Sequence, residues 1–100
     1  MSKESDSVSS AVALLTAAAE TVGGPRNDTH GDKLRNMSHT ANLMNAYLGD
    51  KLRAPLTAQD VAMLMIAVKQ SRIRCGVPIR DHFLDIAGYA AVAYEVGNES

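Results

Sequence analysis

Apolar positions recur along most of this chain at three- and four-residue spacing, the period of an α-helix rather than a strand. Val8, Ala11, Val12, Leu15, Ala18, Ala19 and Val22 make the first such face. A helix is expected there from about Ser7, with Ser7 or Ser9 capping its free N–H groups. Gly23, Gly24 and Pro25 must end it, and residues 25–31 are dense in turn formers. A second helix is expected over about 32–48. Its seam is Leu34, Met37, Ala41, Met44 and Leu48, and Gly49 stops it. Arg35, Ser38, Asn42 and Asn45 climb the other side with Asn36 and His39, reading as a solvated face or an amide-rich recognition face.

Thr57 to Asp60 has the form of a capping box opening a third helix. Val61 to Val68 is apolar on every side, which suits a helix at the centre of a bundle or one shared with a second subunit. Cations crowd its end, from Lys69 to Arg74, where a helix dipole favours them. Gly76 and Pro78 break the chain. The last helix is expected over about 81–96, with Asp81 as its cap. Gly88 within it weakens the helix and implies close packing against a neighbour. Nothing reads as a strand. The expected fold is all-α, a four-helix bundle-like domain over residues 7–97, between short tails at 1–6 and 98–100. The apolar third helix and the small residues of the fourth exceed what a monomer would cover, so a homo-oligomer joined through those helices is expected.

One hundred residues suit a single domain. Ten Lys and Arg against eleven Asp and Glu give a net charge of -1, which argues against general nucleic-acid binding. An aromatic share of 4% with no Trp leaves no interleaved stacking platform. The lone Cys75 excludes a disulfide framework and fits a reducing compartment. No apolar run approaches the roughly 20 residues of a membrane span. A cytoplasmic location is therefore expected.

Candidate chemistry is sparse. Cys75 has no histidine at a spacing that signals a nucleophile pair, and no local spacing signals zinc. No catalytic residue, metal site or cofactor is assigned. Asp81 and Asp85 share a face of the last helix with Tyr89, and like charges so placed need an offsetting cation. Lys69 or Arg72 on the neighbouring helix would supply it, in an interhelical ion pair. Read instead as a clamp, Lys69 and Arg72 could hold a phosphate or carboxylate. The His30, Gly31, Asp32 turn opens the second helix where free N–H groups could meet an anion. The expected ligand site is thus His30, Asp32, Asn42, Lys69, Arg72, Asp85 and Tyr89, gathered near one end of the bundle.

His30-Gly31-Asp32, Asn36, Tyr47-Leu48-Gly49, Thr57 to Lys69 with Arg72, and Asp85-Ile86-Ala87-Gly88-Tyr89-Ala90 together resemble a small phage and prophage domain family of uncharacterised function, over about residues 30–96. That family is similar, more distantly, to nucleotide-modification-associated domains and to MazG-like nucleotide pyrophosphohydrolases. The resemblance implies an all-helical, nucleotide-handling scaffold in a host cytoplasm. MazG-like enzymes hold Mg²⁺ on paired glutamate motifs, but this chain offers Asn36, His39, Asn42 and Asn45, and His82 with Asp85. Amides bring no charge to a hard cation. The leading expectation is therefore a protein that binds a nucleotide-derived or other small anionic ligand without hydrolysing it, with host-defence evasion as a role suggested by phage kinship. Two alternatives stand beside it: an Mg²⁺-dependent MazG-like pyrophosphohydrolase using Asp32, Asp81 and Asp85, and a protein-interaction module.

Overall fold

A computed structural model describes residues 9–23 and 33–99. Four helices account for most of them: α1 (Ser10–Gly23), α2 (Lys33–Leu48), α3 (Ala58–Cys75) and α4 (Arg80–Glu99). No strand occurs among the described residues. The expected start of helix one at Ser7 lies outside them. Ser9 is the cap, its Oγ accepting from the Val12 N–H at 3.1 Å.

The remaining boundaries follow local chemistry. Gly49 turns the chain at φ +53°, the left-handed region that a side chain makes costly, and a 3₁₀ turn follows over Gly49–Lys51. Thr57 caps α3 reciprocally: its Oγ1 accepts from the Asp60 N–H at 3.1 Å, and the Asp60 carboxylate accepts from the Thr57 N–H at 2.9 Å. The last helix departs from expectation at both ends. It begins at Arg80, so Asp81 lies within its first turn rather than at the cap, where its charge still favours the dipole. It continues to Glu99, into what the sequence pattern sets aside as a tail.

The core is built from small side chains. Ala18, Ala41, Ala58, Val61, Ala62, Val92, Ala93 and Val96 are buried, and Val61 and Val96 are fully so. Alanine on facing helices lets backbones approach closely, which fixes the α3–α4 packing around Ala58, Ala62, Val92, Ala93 and Val96. Val22 of α1 and Met37 of α2 close over this cluster. The Gln59 side chain lies across Gly97 and donates to the Ala93 carbonyl at 3.0 Å, in space that a Cβ on Gly97 would occupy.

The central helix is α4, which packs on α1, α2 and α3, most extensively on α3. The sequence points to α3 either for that role or for one shared with a second subunit. Its all-round apolar character is instead left partly uncovered, with Met63, Leu64 and Val68 exposed. Among the described residues, helix α1 has one substantial partner, α4. Gly88 does face it, but a Cβ there would meet Val22 Cγ2 at 3.5 Å, an ordinary contact.

Candidate functional site

Helices α3 and α4 are joined by the short Gly76–Ile79 connection and run antiparallel, with Gln59 bonded near one end and Lys69 near the other. That register brings Lys69 to Asp85. Lys69 Nζ and Asp85 Oδ2 form an ion pair at 2.9 Å, with side chains 13% and 36% exposed. Lys69 thereby offsets the charge that Asp85 shares with Asp81 one turn away, as the ion-pair reading of the sequence expects. Lys69 is consequently not half of an unpaired cation clamp: its charge is neutralised and most of its length is covered.

Arg72 stands one turn nearer the connection. It is exposed; its carbonyl accepts from the Gly76 N–H at 3.0 Å, while its guanidinium makes no hydrogen bond or ion pair among the described residues. Antiparallel pairing brings it level with the first turn of α4, where His82 sits. The Nδ1 atom of His82 is buried and meets no partner among the described residues. Tyr89 is half-buried one turn beyond Asp85. Four expected site residues, Lys69, Arg72, Asp85 and Tyr89, thus line one stretch of the α3–α4 seam. Asn42 is exposed on α2, away from that seam. His30 and Asp32 lie outside the described residues.

Among the described residues, no three His, Cys, Asp or Glu side chains come together as a metal-ion site would need. Cys75 is exposed at the last position of α3.

Asn45 has a role that the sequence reading does not give it. Its Nδ2 donates to the Leu56 carbonyl at 3.1 Å, and its Oδ1 accepts from the Leu56 N–H at 2.7 Å. Both halves of the amide are used to hold the connection against α2. The signal was available: Asn45 is four residues after buried Ala41 and three before Leu48, on the inward side of the helix. Below it a cleft of about 220 Å³ is lined by Asn45, Gly49, Leu52, Arg53, Ala54 and Pro55. Arg53 is exposed there and unpartnered among the described residues.

No described helix is long and apolar enough to cross a membrane. Comparison with known proteins returns two phage relatives. The Gene 55 protein of Mycobacterium phage L5 is 37% identical over 81 residues, covering 81% of this chain and 50% of the relative. The Gene 55 protein of Mycobacterium phage D29 is 33% identical over 86 residues, covering 86% and 54%. The chain spans about half the length of these curated relatives. No solved structure matches it. The small-phage-family resemblance stands on these matches, which carry no likeness to MazG-like enzymes. They also extend it: the family match begins at residue 13 and so takes in α1, which the resemblance read from the sequence leaves out. Over residues 13–97, this chain belongs to the family described as the domain of unknown function DUF6378.

Proposed function

We propose that this chain is a phage-type binding protein, working in the host cytoplasm, that holds a small anionic, nucleotide-derived ligand without hydrolysing it. The observation that carries this reading is Arg72, a cation presented beside a closed Lys69–Asp85 pair and given no protein partner among the described residues. A guanidinium so placed suits bidentate binding of phosphate or carboxylate. Lys69 and Asp85 stiffen the seam beneath it, and Tyr89 offers a flat face for a base. His30 and Asp32, which precede α2 in the sequence, are the remaining members proposed for the set. Sequestration of a host nucleotide signal is the role such a protein would serve.

Binding without turnover is favoured because Asp85, the carboxylate a MazG-like reaction would need for Mg²⁺, is committed to Lys69. A thermal-shift panel of mono-, tri- and cyclic nucleotides, with and without Mg²⁺, tests the reading. The expected result is a stabilising ligand, no product, and loss of the shift in Arg72→Ala with the unliganded melting temperature unchanged. Pyrophosphate release from nucleoside triphosphates, abolished by Asp85→Asn, would replace it with the pyrophosphohydrolase reading.

A second reading has its own observation. Met63 of α3 and Phe83 and Tyr94 of α4 are 54%, 44% and 72% exposed. Apolar surface of this kind fits self-association through α3 and α4, or docking on a host protein. Light scattering that gives a mass near 10.6 kDa at tens of micromolar would remove self-association.

A further inference from the structure

The chain's near-neutral charge conceals a strong division. Residues 33–53 carry four Lys and Arg (Lys33, Arg35, Lys51, Arg53) against one acid, Asp50, a net +3. The other six Lys and Arg face ten Asp and Glu, a net -4. The basic stretch is α2 and the connection after it, one continuous part of the fold.

The outward face of α2 has an unusual composition for a helix turned to water. Arg35, His39, Asn42, Leu43 and Tyr47 follow one another along it and are all exposed. Leu43 is 60% exposed and Tyr47 85%, the highest value among the described large apolar residues. Neither contributes much to the core, which α2 meets through Met37 and Ala41. At the end of this face the chain turns at Gly49 and presents Lys51 and Arg53, both exposed. A helix dipole accounts for one cation beside a C-terminus. It does not account for Arg53 beyond the turn, beside the cleft of about 220 Å³, or for an aromatic ring held almost clear of the protein.

We propose that the outward face of α2, with Lys51 and Arg53, binds a short single-stranded nucleic-acid segment. Tyr47 stacks on an unpaired base, and Lys51 and Arg53 hold the adjoining phosphates. Asn42 and His39 offer donors and acceptors to base edges farther along the helix. Cations that track a backbone beside an exposed ring are the combination that single strands require. The balanced charge of the whole chain excludes a general backbone binder, but not a local one. This site is separate from the Arg72 seam, so it stands or falls independently of the small-ligand reading.

Fluorescence anisotropy with a fluorescein-labelled DNA strand of about 15 nucleotides, an RNA strand of the same sequence and the matching duplex tests it. Two or three phosphate contacts predict about a five- to tenfold loss of affinity between about 50 and 150 mM salt. Tyr47→Ala should weaken binding about fivefold or more, leaving the salt dependence and helical content unchanged. The double variant Lys51→Glu, Arg53→Glu should weaken it at least about tenfold and flatten the salt dependence. Arg74→Glu, an exposed cation on α3, should bind like the parent. No binding at about 100 µM protein, at the weak end of non-specific affinity, would overturn the proposal. So would indifference to Tyr47→Ala, indifference to the double charge reversal, or equal affinity for the duplex. Should the charge-reversed variant lose helical content, Tyr47→Ala alone decides.

Discussion

At the scale of single residues, Asn45 does structural work that its neighbours in the sequence do not announce, and Lys69 and Asp85 do work that theirs do announce. Asn45 satisfies both backbone groups of Leu56. Asn45→Ala would leave a partly buried N–H and carbonyl unmet, a cost of about 1–3 kcal/mol in urea unfolding. Asn45→Asp keeps the shape but sets a carboxylate against the Leu56 carbonyl, and should cost at least as much. The Lys69–Asp85 pair behaves differently. Asp85→Asn leaves Lys69 covered without its counter-ion, and about 1–2 kcal/mol of stability should go, the partial exposure of Asp85 limiting the loss. Adding Lys69→Met removes the stranded charge and should restore most of it; a full loss in the double variant would show that the pair is not the cause. The sequence supplied a cation for Asp85 but left two, Lys69 and Arg72, equally placed on one helix face. Only the relative rotation of α3 and α4 separates a paired charge from a presented one.

At the scale of elements, the boundaries marked by a cap or a turn glycine were the most legible because they depend on neighbours in sequence, whereas both ends of α4 departed from expectation. The Thr57 capping box and the left-handed Gly49 appear where the pattern puts them. Partners were less legible. An apolar stretch such as Val61 to Val68 tells which side chains avoid water, not how many helices arrive to cover them, and α4 rather than α3 takes the middle. Gly88 illustrates the same limit. Its place in mid-helix implies a tight approach, but the space beside Val22 accommodates a methyl group. Gly88→Ala should therefore raise stability by about 0.5–1 kcal/mol, read as a higher melting temperature. A destabilised Gly88→Ala would mean that something comes closer to α4 than α1 does.

At the scale of the whole molecule, composition averages away what the fold segregates. The net charge of -1 averages residues 33–53, at +3, with the rest of the sequence, at -4. Of the seven expected ligand residues, four fall on one α3–α4 seam, while His30 and Asp32 lie outside the described residues. Asn42 belongs to another face, and the register between α2 and the seam is not written in either helix alone. The docking of α1 on α4 has a further consequence, in the order of folding. Asn45 and Leu56 are close in the chain and join α2 to α3 through a short loop, which closes fast. Val22 reaches Gly88 only after the rest of the chain has folded between them. Helix α1 should arrive last and leave first. Stopped-flow measurements should find Val22→Ala unfolding faster with its folding rate almost unchanged, and Asn45→Ala folding more slowly. A slower folding rate in Val22→Ala would place α1 in the nucleus instead.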